Sequence, residues 1–106
     1  MTNQAVISGA VRDNPVQGAF ENGVNYTCIT VRVVSRTKGN PDISYIDVIA
    51  TGVKATYVDS ELSAGDNIVV VGRLSSYAKQ NKDGSYRKRT FIRPDIINKV
   101  EQMYYD

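Results

Sequence analysis

The 106-residue chain has no His, no Trp and a single Cys. Without His it can form neither a Ser-His-Asp triad nor a Cys-His pair, and no imidazole is available as acid or base. One thiol without any imidazole cannot provide the ligands of a tetrahedral structural zinc site. One Cys also forms no internal disulfide, so the sequence shows no adaptation to an oxidising compartment. These absences argue against an enzyme and against a resident metal or cofactor.

The sequence also lacks signals for export or membrane insertion. Residues 1–9 contain no basic stretch followed by a long apolar run, which a signal peptide would have. No apolar stretch approaches the ~20 residues that a membrane helix needs. We therefore expect a cytoplasmic protein with no membrane partner. At this length we expect one domain over residues 1–100, followed by a short tail at 101–106.

Motifs for nucleotide cofactors are missing too, whereas the charge is unevenly distributed. There is no Gly-x-Gly-x-x-Gly and no Gly-Lys-Ser/Thr loop. The net charge is only +2, but residues 73–93 carry seven basic residues and one acid, so that segment is +6 and the rest of the chain −4. A basic segment on an otherwise acidic body is typical of an anion-binding surface.

Apolar residues recur at every second position through most of the chain, which predicts an all-β fold. Strands are expected over residues 5–11, 25–35, 43–51, 67–77 and 87–97, and helical spacing over Val53–Leu62 predicts one short helix. Five strands with a helix between the third and fourth is the order of the OB-fold, a Greek-key barrel that binds oligonucleotides or oligosaccharides. The alternative, an SH3-like barrel, does not usually place a helix there.

Glycine and proline mark the expected irregularities. Residues 37–42 are expected to form a loop, and 81–84 contain the Asp-Gly signal of a tight hairpin. Gly72 in the fourth predicted strand suggests a bulge or bend, and Pro94 in the fifth should lie at an edge or a bulge.

Strand alternation predicts which side chains face the core and which face outward. Tyr26 and Tyr57 are expected to pack in the core or against the helix, and Cys28 to be a small buried residue rather than a nucleophile. The residues expected in the core are Ile46, Val48, Ile68, Val70, Leu74, Ile92 and Ile96. The residues expected outside are Tyr45, Asp47, Arg73, Ser75, Tyr77, Phe91 and Arg93.

Outward aromatic residues beside basic ones suggest a surface for single-stranded nucleic acid, because bases stack on aromatic rings while cations neutralise phosphates. Phe91 would suit a dimer interface nearly as well. The expected stacking residues are Tyr45, Tyr77, Tyr86 and Phe91. The expected phosphate-binding residues are Arg32, Arg73, Lys79, Lys82, Arg87, Lys88 and Arg89.

Several ordered segments resemble the bacterial single-stranded DNA-binding protein family. They are Asn3-x-x-x-Ile7-Ser8-Gly9-x-Val11-x-Asp13-x-Pro15, Tyr45-Ile46-Asp47-Val48-Ile49-Ala50-Thr51-Gly52, Leu62-x-x-Gly65-Asp66-x-Ile68-x-Val70-x-Gly72-Arg73-Leu74 and Asp83-Gly84-x-x-Arg87. The resemblance implies an OB-fold that binds single-stranded DNA without catalysis and assembles as a homodimer or homotetramer.

The resemblance also implies roles for individual positions. Tyr45 matches a position of the family that holds a base-stacking aromatic residue, and Tyr77 lies two residues from a second one, on the same face. Thr51 occupies a third such position, usually Phe, so that contact is expected to be lost.

The end of the sequence differs from the cellular members of the family, which carry a long tail with an acidic, hydrophobic tip that recruits partners. This sequence stops at Asp106. It therefore resembles tailless relatives, such as the primosomal replication protein PriB or forms encoded by phages, plasmids or conjugative elements. Two alternatives to DNA binding follow: a PriB-like module that docks a replication or helicase protein, and an RNA-binding OB domain.

Overall fold

The computed structural model describes residues 1–101, apart from the side chains of Thr37 and Lys79. In that range the chain forms six strands and one helix. They are β1 (Ala5–Val11), β2 (Val16–Ala19), β3 (Asn25–Thr37), β4 (Asn40–Thr51), α1 (Gly52–Glu61), β5 (Asn67–Gln80) and β6 (Tyr86–Lys99). No helix in the described range is long and apolar enough to cross a membrane.

Five of the strands close into a barrel in the order β1-β5-β6-β4-β3. The barrel closes where β1 pairs with β3, at Ala10↔Arg32 and Val11↔Val31. Among the strands of residues 1–101, only β4 and β6 pair in parallel, and β2 is an additional strand on the edge of β3. Since α1 lies between the third and fourth barrel strands, the predicted OB-fold is confirmed. The short strand β2 was not predicted.

The barrel interior is filled by aliphatic side chains, many of them β-branched and therefore suited to strands. Helix α1 contributes Val58 and ends where the N–H of Leu62 donates to the carbonyl of Val58 at 3.1 Å. The buried core residues are Val11, Ile29, Val31, Val48, Ala50, Val58, Leu62, Ile68, Val70, Ile92 and Ile97. The predicted helix is thus found, although Val53 at its start is exposed. Tyr57 packs against the core as predicted.

Two long hairpins, β3–β4 and β5–β6, carry most of the outer surface. The β3–β4 hairpin turns at Lys38-Gly39, whose φ angles of 53° and 82° match the two positive φ angles of a type I′ turn. The strands continue on both sides of this turn, so the loop predicted at 37–42 is wrong. The predicted hairpin at Asp83-Gly84 is confirmed, and hydrogen bonds from Ser85 lower the pKa of Asp83.

A bulge in the β5–β6 pair corrects the predicted position of Ile96. Val71 pairs with Ile96 and Gly72 with Pro94, so Asp95 is an extra residue in β6. One extra residue reverses the alternation of faces. Ile97 is therefore in the core, whereas Ile96 is 51% exposed. The bulge predicted from Gly72 and Pro94 is confirmed.

Leu74 is also not a core residue, although it pairs with the buried Ile92. The neighbouring strand β1 begins at Ala5, opposite Gly72, so β1 does not pair with β5 beyond Gly72. The side-chain amide of Asn3 pairs instead with the backbone N–H and carbonyl of Leu74, at 2.8 and 2.9 Å. Leu74 is consequently 50% exposed.

Candidate nucleic-acid interface

The outer face of β3, β4 and β6 carries alternating aromatic, polar and basic residues. Because Val48 and Ala50 fill the core, Tyr45 points away from it, as predicted, and is 54% exposed. Tyr45 pairs across the strands with Arg32, and the guanidinium carbon of Arg12 lies 5.0 Å from the centre of its ring. A cation at this distance from a tyrosine ring makes a cation–π contact. The exposed ring of Tyr45 thus contacts one arginine, Arg12, and lies opposite a second, Arg32, on the neighbouring strand.

Arg12 was not predicted as a site residue. It follows β1 directly, and its Nε donates to Asp13 at 2.7 Å. This hydrogen bond raises the pKa of Arg12. Arg12 therefore presents a permanent positive charge beside Tyr45.

A polar cluster lies next along the same face. The Asp47 carboxylate accepts a hydrogen bond from Thr30 Oγ1 at 2.9 Å and contacts Arg89 Nη2 at 3.4 Å. Cys28 lies in β3 on this outer face and is half-buried, so it is a sheet residue that is less buried than predicted. Burial raises the pKa of Cys28 to about 11, with a smaller contribution from the negative charge of Asp47. The thiol is therefore protonated at neutral pH and is a poor nucleophile.

Beyond this cluster the surface forms an open groove of about 780 Å³, which we call the aromatic groove. Its lining includes Phe20, Tyr26, Ile49 and Tyr77. The rings of Phe20 and Tyr26 are 4.7 Å apart at a tilt of 45°. Gly18 of β2 pairs with Tyr26, and a side chain at Gly18 would collide with that ring. The groove thus depends on β2 and on its glycine.

Phe91 is on the predicted outer face, but the prediction that it offers an open ring is wrong. Its side chain is only 5% exposed. Tyr77 lies diagonally across the β5–β6 pair, and the two ring centres are 5.6 Å apart at a tilt of 53°. An outward Phe on a strand is stabilised when another side chain covers it. Phe91 is therefore in a position to support Tyr77 rather than to contact a ligand.

The chain matches a known protein family over nearly its whole length. The model of the single-strand binding protein family matches residues 2–101. The chain belongs to this family. Its members bind single-stranded DNA and are not enzymes.

Individual relatives agree with this assignment. Single-stranded DNA-binding protein 2 of Staphylococcus aureus strain Mu50 is 29% identical over 104 residues, which cover 95% of this chain and 72% of that protein. Single-stranded DNA-binding protein 1 of strain MSSA476 is 27% identical over 104 residues, with 95% and 67% covered. The crystal structure of a small single-stranded DNA-binding protein from Streptomyces coelicolor has the same fold, with a TM-score of 0.70, 23% identity, and 95% and 97% of the two chains covered.

The structure separates the predicted binding residues into groups. Arg32, Tyr45, Tyr77 and Arg89 share the outer face, with Phe91 beneath Tyr77. Arg73 lies beside the bulge and contacts Asp95 at 3.8 Å. The β5–β6 hairpin carries exposed Lys82, Tyr86, Arg87 and Lys88, whereas the side chain of Lys79 lies outside the described part of the chain.

The hairpin residues do not form one surface, because successive strand residues point to opposite faces. Arg87 is on the same face as Arg89 and Tyr77, whereas Tyr86 and Lys88 are on the opposite face. Arg87 therefore continues the outer-face site along the hairpin. A nucleic-acid strand bound on the outer face would reach Tyr86 and Lys88 only if it passed around the hairpin.

Sequence reasoning missed Phe20 and did not assign Tyr26 to the outer face. The strand pattern did contain a signal for Tyr26. Ile29, Val31 and Val33 face the core, and Tyr26 is an odd number of residues away from them, so its side chain points to the opposite face. Phe20 gave no such signal, since it follows the unpredicted strand β2 and its N–H donates to Val24 in the β2–β3 turn at 2.9 Å. No three His, Cys, Asp or Glu side chains within the described residues are grouped as a metal site would require.

Proposed function

We propose that this protein holds single-stranded DNA across the outer face of β3, β4 and β6 and along the β5–β6 hairpin, without strong sequence preference. It would protect the strand or support replication or transfer of DNA. The observation that carries this proposal is the placing of aromatic rings beside guanidinium groups on one face, above all the exposed Tyr45, which contacts Arg12 and pairs across the strands with Arg32. Every base has a π-face that can stack, so such a surface binds single strands of differing sequence.

The two kinds of residue would have separate tasks. Tyr45 and the aromatic groove, with Tyr26 and Tyr77, would hold bases by stacking, which contributes about 1–3 kcal/mol per base. The cations would neutralise phosphates and release counterions, so that affinity falls as salt rises. The proposed cations are Arg12, Arg32, Arg73, Lys79, Lys82, Arg87, Lys88 and Arg89.

We also propose that the protein acts in the cytoplasm as a homodimer or homotetramer. Val6 pairs with Val71 and Val71 with Ile96, which makes an apolar row across three strands, and Val6 and Ile96 are exposed. Neighbouring exposed apolar side chains are typical of an interaction surface. Sedimentation of a single monomeric species at micromolar concentration would contradict this assembly.

The DNA-binding proposal is tested by titrating labelled oligo-dT, oligo-U and duplex DNA at two salt concentrations. We expect oligo-dT to bind most tightly and its affinity to fall steeply with salt. Preference for oligo-U would indicate an RNA-binding protein, and no measurable binding would indicate a module that docks a protein.

The Tyr45→Ala variant tests the exposed ring directly. It should weaken oligo-dT binding about 5- to 160-fold, which corresponds to about 1–3 kcal/mol. Its melting temperature should stay close to that of the wild type, because the ring is half exposed. Val53→Ala on the exposed start of α1 is the matched control. Equal affinities of the Tyr45→Ala variant and the wild type would remove Tyr45 from the site.

A further inference from the structure

Asp47 places a negative charge among the aromatic, polar and basic residues of the outer face. It lies on β4 between Tyr45 and Ile49, and its side chain is 27% exposed. Asp is disfavoured in strands, so secondary structure does not explain its presence. It would also repel the phosphates of a strand laid across this face.

The contacts of Asp47 are unequal. Thr30 Oγ1 donates to Oδ1 at 2.9 Å, which is an ordinary hydrogen bond. Arg89 Nη2 is 3.4 Å from Oδ2, longer than the ~2.7–2.9 Å of a charge-assisted hydrogen bond. The Arg89 side chain is 48% exposed, and exposed ion pairs are weak. A phosphate can therefore replace Asp47 at Arg89 while Thr30 keeps the carboxylate in place.

Resting on the proposed DNA binding, we propose that Asp47 competes with DNA phosphate for Arg89 and thereby lowers both the affinity and its salt dependence. When a phosphate takes Arg89, the carboxylate loses its counter-charge and takes up a cation from solvent. That uptake cancels part of the counterion release that drives binding. The consequence is a bound strand that leaves more easily than the number of cations on this face would suggest.

Asp47→Asn tests the competition, because Asn removes the charge but keeps an oxygen that accepts from Thr30. The variant should bind oligo-dT more tightly than the wild type. Its plot of log affinity against log salt should be steeper by about 0.7, the contribution of one counterion for single strands. Between about 50 and 200 mM NaCl, its advantage over the wild type should therefore shrink about 2.6-fold.

A double-mutant cycle separates competition from simple repulsion. In an Arg89→Gln background, Asp47→Asn should raise affinity by clearly less than it does beside Arg89 and should leave the salt slope nearly unchanged, because direct repulsion remains but no guanidinium is left to compete for. An equal gain in both backgrounds would mean direct repulsion and would overturn the proposal. Glu61→Gln, an exposed position on α1 with the same change of net charge, should leave the slope as it is.

Other outcomes are equally distinguishable. If the wild type does not bind oligo-dT, the proposed function fails; if it binds but Asp47→Asn keeps the wild-type slope, only the competition fails. If Asp47→Asn alters oligo-dC binding but not oligo-dT binding, Asp47 reads base amino groups, which also overturns the competition. Asp47→Ser, which keeps an acceptor for Thr30, should reproduce the Asp47→Asn result if the latter variant is unstable.

Discussion

Tyr77 offers the sharpest test of the aromatic groove, because its two roles can be separated by substitution. Its ring lines the groove and also covers Phe91, with ring centres 5.6 Å apart. Tyr77→Leu keeps aliphatic bulk over Phe91 and removes the π-face. Tyr77→Phe keeps the π-face and removes only the hydroxyl.

The magnitudes of the two effects differ enough to be measured separately. Loss of one stacked base costs about 1–3 kcal/mol, which raises Kd about 5- to 160-fold. Loss of the Tyr77–Phe91 aromatic pair costs about 0.5–1.5 kcal/mol of folding free energy. For a domain of this size, that lowers Tm by about 2–12 °C, at about 4–8 °C per kcal/mol. Tyr77→Leu should therefore remain folded at 25 °C and bind poorly.

The assay can use the protein's own emission, since the chain has seven Tyr and no Trp. Quenching of tyrosine fluorescence by oligo-dT reports stacking, and anisotropy of a labelled oligonucleotide reports affinity independently. We expect Tyr77→Phe to match the wild type in both measurements. A Kd for Tyr77→Leu equal to that of the wild type, in protein with an intact melting transition, would refute base stacking on Tyr77.

Two further predictions concern the bulge and the thiol. Gly72→Ala should destabilise the domain by about 1–3 kcal/mol, because the new Cβ would collide with the backbone carbonyl of Arg93 and lie 2.9 Å from the Cα of Pro94. Urea denaturation measures the free energy of unfolding, and the control Ser76→Ala, at an exposed position of the same strand, should stay within about 0.5 kcal/mol of the wild type. If Gly72→Ala is as stable as the wild type, the bulge can relax around the new methyl group. Alkylation of Cys28 by iodoacetamide should rise about tenfold per pH unit from about pH 8 to 10, because its pKa is about 11 and the thiolate is the nucleophile. Oligo-dT should slow this reaction, and a rate that levels off below about pH 9 would contradict the raised pKa.

Alternation of apolar residues predicted most of the fold, since a half-buried strand imposes a period of two regardless of its partners. It located the five barrel strands and the direction of Tyr45 correctly. It failed at Ile96, because the extra residue at Asp95 reverses the alternation and depends on how β5 and β6 pair. It failed at Leu74 because β1 begins only opposite Gly72 and so leaves that side chain uncovered.

The candidate site, too, contains residues that strand alternation predicts and contacts that it does not. Arg32, Tyr45 and Arg89 follow from strand parity, whereas the aromatic groove requires β2 to lie against β3, where Gly18 leaves room for the ring of Tyr26. The covering of Phe91 by Tyr77 and the contact of Asp47 with Arg89 each join residues from different strands. Registers and bulges decide such contacts, and a single-strand pattern does not contain them.

By itself, then, the sequence determined the class of molecule. The period-two strands, the helical spacing over Val53–Leu62 and the ordered motifs indicate an OB-fold of the single-strand binding protein family, and the family match over residues 2–101 agrees with this. Only the tertiary structure decided which aromatic rings are exposed to solvent and which basic side chains form ion pairs. The physical reason is that exposure and ion pairing depend on neighbours across strands, which are distant in sequence and are brought together only when the barrel closes.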